Sequence, residues 1–296
     1  MLVKALILGA GYVVRLYPLT KNTPKPLLQI GHKPVIEWTL SQIMALKEMK
    51  EVFIVVNQRF YEHYQRWLDN YQSVSADSSG RPFPKITLCN DQTLTNEDRL
   101  GAIGDIALAI QRFEIKDDLL VVAGDNLFEF NLSALVKTFK AKGTTIALKN
   151  MKDIDKRLIS QYSVVTLDKE NRLIDFEEKP PVPKSTLVAI CLYIFGASTL
   201  GLINEYLRSG FNPDAPGYYI QWLYKKINVY GCAMKGPWFD IGDIDSYNKA
   251  NDYYLRRPGK KQKTGSRSKP MMLYSCQVKY GKSKISCWIR YRFQIS

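Results

Sequence analysis

Histidine is almost missing from this 296-residue chain, which holds only His32 and His63. That scarcity argues against a histidine-rich metal site and against a Ser-His-Asp triad. Cysteine is sparse as well: Cys89, Cys191, Cys232, Cys276 and Cys287 are scattered without metal-ligand spacing. Their odd number is what free thiols in a reducing cytoplasm would show. No uninterrupted apolar run approaches the roughly 18 residues of a membrane-spanning helix. The apolar start MLVKALILGA lacks a basic lead and a small-residue cleavage site, so it reads as a first core strand rather than a signal peptide. Acid is absent from residues 255–296, a stretch with twelve Lys and Arg.

The last absence reshapes the meaning of the net charge of +14. Removing the twelve tail cations leaves thirty bases against twenty-eight acids, so the body is nearly neutral. A nucleic-acid surface on the body is therefore not expected, and a contact with polyanion or a membrane surface could come only from the tail. Hydrophobic residues at 46% and charged residues at 24% are ordinary for a soluble globular chain. The length suits one large α/β domain or two ordinary ones. Oligomeric state is not written in the pattern, and self-association stays open.

Apolar runs alternate with helical spacing along the chain, which predicts βα units and a mainly parallel sheet. Strands are expected at 3–8, 52–56, 86–89 and 119–123, and helices at 34–49, 61–71, 103–113 and 132–142. A polar loop is expected over 72–84. From about residue 144 the pattern becomes β-rich, with strands at 144–149, 162–167, 172–178, 187–195 and 228–233. Helices are expected near 197–208, 217–226 and 244–255. Residues 256–269 read as a solvated linker. Residues 285–296 alternate apolar and polar in a strand pattern that needs a partner surface.

The chemistry concentrates in the first thirty residues. An apolar run ending at Leu8 enters the turn Gly9-Ala10-Gly11, followed by Arg15 and then Pro24-Lys25-Pro26. A strand ending in glycines offers backbone N–H groups at the carboxyl edge of a sheet, where ligands bind in open α/β folds. The dinucleotide fingerprint is incomplete: Val14 stands at the third glycine, and Asn57 and Gln58 replace the ribose-binding acid. NAD is thereby disfavoured. Arg15 and Lys25 instead suit a triphosphate attacked at its α-phosphorus, since fixed cations offset charge on the equatorial oxygens and the leaving pyrophosphate. Asp125, directly after a buried strand, and Asp240, after Trp238, are candidate Mg²⁺ ligands. Glu178-Lys179 closes another strand and could bind sugar hydroxyls and a phosphate.

Taken together these parts resemble the NTP:sugar-1-phosphate nucleotidyltransferases. That family's pattern runs as a glycine turn, R-L-x-P-L-T, P-K-P-L, G-D-N, E-K-P and W-x-D-I-G, all found here in that order within residues 2–255. The stretches 97–105 and 213–218 look like the stand-alone glucose-1-phosphate thymidylyltransferase branch. The resemblance implies a single Rossmann-like, mixed but mainly parallel sheet flanked by helices. It divides 1–255 into a nucleotide-binding part of about 1–143 and a sugar-binding part of about 144–255, followed by the basic tail 256–296. It assigns catalysis to Arg15 and Lys25, and nucleotide binding to Leu8, Gly9, Ala10, Gly11, Gly101 and Asp125. Glu178, Lys179 and Ser163 would bind the sugar phosphate, and Asp125 and Asp240 would hold Mg²⁺. UTP or dTTP with glucose 1-phosphate is the expected pair; GTP with mannose 1-phosphate is the alternative.

Two departures bear on rate. Val13 and Val14 stand where the family carries Gly or Ala and then Thr, which removes a hydroxyl donor. Losing one such donor costs on the order of 10²–10³ in rate. A catalytically weakened, nucleotide-sugar-binding regulatory subunit is therefore a second expectation. Ser163 stands where the family favours Gly, and its side chain is expected to narrow the sugar pocket.

Overall fold

The structure is a computed structural model that describes residues 4–12, 14–72, 84–256, 274–280 and 283–289. In chain order its elements begin with β1 (Lys4–Leu8), β2 (Gln29–Ile30), β3 (Lys33–Pro34), α1 (Val35–Met44), β4 (Glu51–Val56), α2 (Tyr61–Gln72) and β5 (Lys85–Asn90). Next come α3 (Gly101–Arg112), β6 (Leu119–Ala123), β7 (Asn126–Phe128), α4 (Ser133–Lys142), β8 (Thr145–Asn150), α5 (Lys156–Ile159), β9 (Ser163–Leu167) and β10 (Leu173–Glu177). The body closes with β11 (Leu187–Phe195), α6 (Gly201–Arg208), α7 (Pro216–Leu223), β12 (Tyr230–Ala233), β13 (Trp238–Asp240) and α8 (Ile244–Leu255).

Seven strands run in the order β10-β9-β11-β6-β1-β4-β5, and β8 and β12 join through β11 to complete a nine-stranded sheet. β1 is parallel to both β4 and β6, and β4 is parallel to β5. β11 is antiparallel to β6, β8 and β9, which makes the sheet mixed. The uninterrupted apolar runs follow from burial on both faces. Ala5, Ile7, Val52, Ile54, Leu120 and Val122 join α1, α2 and α4 on one side. Leu6, Phe53, Val55, Leu119 and Val121 meet α3, α6 and α7 on the other. A third apolar cluster seats α8 through Ala250 and Tyr254 against Leu16, Ile30, Val35 and Ile241.

Helix ends depart from the periodic reading. Helical spacing over 34–49 yields helix only to Met44, because Leu46 and Met49 continue into the core as turns. Short elements β2, β3, β7, β13 and α5 escape a periodic reading because two to four residues define no period. Most of the loop expected over 72–84 lies outside the described residues, as do Val13, the linker 257–269 and residues 290–296.

The chain divides into two compact units, Met1–Arg257 and Pro258–Ser296. Within the second, β14 (Tyr274–Tyr280) pairs antiparallel with β15 (Ser283–Ile289), so the alternation read from Ile285 onward is a strand as far as Ile289. Among the described residues no helix is long and apolar enough to cross a membrane.

Candidate active site

β1, β4 and β6 end side by side, and their carboxyl edge carries the turn. Leu8 C=O accepts from Gly124 N–H at 2.9 Å, drawing the end of β6 against the end of β1. Gly9 has no free polar backbone group: its N–H donates to Val55 O at 2.8 Å and its C=O accepts from the Tyr64 hydroxyl at 3.0 Å. Asn57, standing where a dinucleotide fold carries an acid, is buried and donates to Ala10 C=O at 2.8 Å while accepting from Phe60 N–H. Gly11 is exposed and open, with nothing within 4 Å of where a Cβ would stand. Three of the four expected turn residues thus build the turn, and Gly11 alone faces free space.

Lys25 lies on a short 3₁₀ turn stiffened by Pro24 and Pro26, and its side chain is 6% exposed. Its Nζ donates to Asp125 Oδ2 at 2.8 Å. Asp240 reaches the same place through β13, which pairs antiparallel with β7 so that Asp240 stands opposite Asn126, the neighbour of Asp125. Burial first, and then the charge of Asp125, push Asp240 up to about 6; Lys25, Arg15 and Lys179 oppose the rise. Arg15 is exposed on its own turn, within electrostatic reach of Asp240 and Asp243. The structure therefore brings Arg15, Lys25, Asp125, Asp240 and Lys179 to one sheet edge.

Residues 4–257 match the nucleotidyl transferase family over most of the chain's length. The chain belongs to that family. It is similar to the bifunctional protein GlmU of Methanocaldococcus jannaschii, 28% identical over 85% of this chain and 54% of that protein. It is also similar to the UTP–glucose-1-phosphate uridylyltransferase of a Synechocystis species, 29% identical over 83% of this chain and 62% of that one. The chain thus spans little more than half the length of these curated relatives. Among solved structures, UTP-bound UGPase from Acinetobacter baumannii superposes with a TM-score of 0.69 at 19% identity, covering 88% of this chain and 95% of that one. A UDP-glucose pyrophosphorylase complexed with UDP-glucose gives the same score at 20% identity, covering 87% and 100%. Both share the fold.

The surroundings of Glu178 are built by β9, β10 and α7. Glu178 follows β10, its side chain is 5% exposed, and its carboxylate Oε2 accepts from Ser163 Oγ. Ser163 thus engages the carboxylate directly instead of only narrowing a pocket. Lys179, at φ +46, places Nζ 4.0 Å from Glu178 Oε1. Gly101 opens α3 in the left-handed region at φ +76, a conformation that glycine adopts at little cost.

Several residues holding this arrangement were missed by pattern reading. Asn126 is buried and serves three elements: Nδ2 donates to Ile190 O at 2.5 Å, Oδ1 accepts from Trp238 Nε1 at 3.1 Å, and its C=O accepts from Thr39 Oγ1 at 2.9 Å. The Gly-Asp-Asn triplet marks it, but only the fold reveals its partners. Cys191 occupies a positive φ of +47 where the register of β11 shifts. Burial raises its thiol pKa, and the charge of Asp125 adds to that. No sequence signal announces a left-handed cysteine inside a nine-residue strand.

A divalent cation fits the donor set. Two carboxylates from adjacent strand ends are close enough for the charge of one to raise the pKa of the other, a repulsion that a dication between them relieves. Among the described residues no cluster of three or more His, Cys, Asp or Glu competes for it. Two carboxylates completed by phosphate oxygens and water are typical for Mg²⁺.

Proposed function

We propose that the chain transfers a nucleotidyl group from a nucleoside triphosphate to a sugar 1-phosphate, forming a nucleoside diphosphate sugar and pyrophosphate. The observation that carries this reading is the convergence of Lys25, Asp125 and Asp240 beside the open Gly11 turn, with Arg15 facing them. An oxygen of the sugar phosphate forms a bond to the α-phosphorus as the α–β phosphoanhydride bond breaks in line. Pyrophosphate leaves with the electron pair, and no covalent enzyme intermediate forms. Arg15 and Lys25 offset charge on the equatorial oxygens and the leaving group. Asp125 and Asp240 would hold Mg²⁺, which supplies neutralisation of phosphate charge when bound. Glu178 accepts hydrogen bonds from sugar hydroxyls, and Lys179 faces the sugar phosphate.

UTP or dTTP with glucose 1-phosphate is the favoured pair, supported by the uridylyltransferase relative and by the motif resemblance. Free triphosphate places such an enzyme in the cytoplasm. Pyrophosphate release across a grid of nucleoside triphosphates and sugar phosphates tests the reading. Turnover with at least one pair is expected; none with any pair, from folded protein and Mg²⁺, overturns it.

The residues Val13-Val14 support a second reading, a regulatory binder of nucleotide sugars. It is favoured if Val13→Gly with Val14→Thr raises turnover by orders of magnitude while the parent already binds ligand tightly.

A further inference from the structure

Residues 97–105, which include the Gly101 turn, and residues 213–218, which carry no assigned role, meet in the folded chain. Arg99 Nε donates to Asp214 Oδ1 at 2.8 Å, and Nη2 donates to Oδ2 of the same carboxylate. Arg99 Nη1 donates to Asn96 C=O. The backbones join beside them: Ile103 N–H donates to Pro213 O at 2.9 Å, and a Cβ on Gly101 would stand 2.7 Å from that oxygen. Three residues beyond Asp214 comes Gly217, in the first turn of α7. A Cβ there would lie 1.7 Å from Glu178 Oε2 and 2.6 Å from Ser163 Oγ, so the bare α-carbon is what lets α7 press on that carboxylate. Contact therefore runs unbroken from the turn assigned to the nucleotide to the carboxylate assigned to the sugar.

Stability alone does not account for the pair. Its side chains are 39% and 40% exposed, and exposed ion pairs add little to stability. A two-pronged guanidinium–carboxylate fork does fix direction and spacing, which is what a positioning element requires. We propose that Arg99 and Asp214 form a clasp that carries nucleotide binding at the Gly101 turn to the Gly217–Glu178 contact, making both positioning residues for the sugar phosphate. The proposal rests on the nucleotidyl-transfer reading above.

The test uses the full chain as Arg99→Ala, Asp214→Ala, the double variant, and the exchanged pair Arg99→Asp with Asp214→Arg, each verified as folded by circular dichroism. With UTP, Mg²⁺ and glucose 1-phosphate, or whichever pair the substrate grid finds active, KM for the sugar phosphate rises about fivefold or more in each single variant. The Kd of nucleotide measured without sugar phosphate and kcat stay near wild type, the double variant is no worse than either single, and the exchanged pair restores KM. A fivefold or greater weakening of nucleotide binding in the absence of sugar phosphate, additive singles, or an unchanged KM overturn the clasp. Hydrogen exchange supplies a readout independent of turnover: nucleotide with Mg²⁺ protects amides of 216–223 in wild type, and Arg99→Ala abolishes that protection. Protection confined to the Gly9–Gly11 turn in wild type overturns the clasp and leaves the transfer reading standing. No protection anywhere with UTP, dTTP, GTP or CTP overturns the transfer reading, and the clasp with it.

Discussion

Lys25 combines two properties that seldom coincide, a full positive charge and near-complete burial, and Asp125 is its hydrogen-bond partner. Its geometry is set by Pro24 and Pro26 before any ligand arrives, so the cation needs little rearrangement when charge builds on phosphate. Lys25→Met should lower kcat by about 10²–10³ in steady-state pyrophosphate release. Lys25→Arg should not restore it, because a planar fork cannot occupy the site of a compact ammonium. Asp105 makes the opposite case, a buried acid with no counter-charge at hand. It is 6% exposed and its Oδ1 has no partner; burial first, then the charge of Asp91, push it up to about 8. The native fold thus accepts the protonated acid and resists the carboxylate. Its contribution to stability is intact near pH 4 and is lost as pH climbs through about 8. Asp105→Asn should flatten the decline of the melting temperature between about pH 5 and pH 8, read by thermal denaturation across buffers. A slope identical to wild type would show that Asp105 does not titrate in that window.

Among the elements, β7 and β13 show why the site was only partly legible in sequence. The long strands β1, β4, β6 and β11 announce themselves as apolar runs, and Gly9, Arg15, Lys25, Asp125 and Asp240 lie at or near run ends that a reader can find. That Asp240 stands one pairing step from Asp125 is not a local property. It depends on a three-residue strand returning from more than a hundred residues away to pair with β7. The partners of Asn126 lie 64 and 112 residues away in sequence, so no short window on the chain contains them. At the Gly9 turn the fold adds what composition does not show. Its composition suggested N–H groups aimed at a ligand, yet Val55 and Tyr64 take both polar groups of Gly9. Asn126→Ala should destabilise the body by about 1–3 kcal/mol, because it strips partners from the Ile190 carbonyl and the Trp238 indole. Chemical denaturation measures that loss, and a larger fall in kcat than in stability would mark displaced carboxylates.

At the scale of the whole molecule, the two units differ in charge as much as in contacts. Ten of the twelve tail cations lie beyond Arg257, and the body keeps its own three apolar clusters. A chain ending at Arg257 should melt within about 2 °C of the full-length protein and retain pyrophosphate release. Binding to anionic vesicles or RNA, if carried by the tail, should disappear with it and weaken steeply with salt in the full chain.

The pairing of β13 with β7 has one more consequence. It buries Asp240 close to Asp125, a like charge that Lys25 only partly offsets, and the unfolded chain bears neither cost. A dication binding there relaxes that repulsion, and mass action makes relaxation and heat resistance two views of one quantity. Mg²⁺ should therefore raise the melting temperature of the wild type in a saturable way. The rise should vanish in Asp240→Asn, which enters the folded state already relaxed.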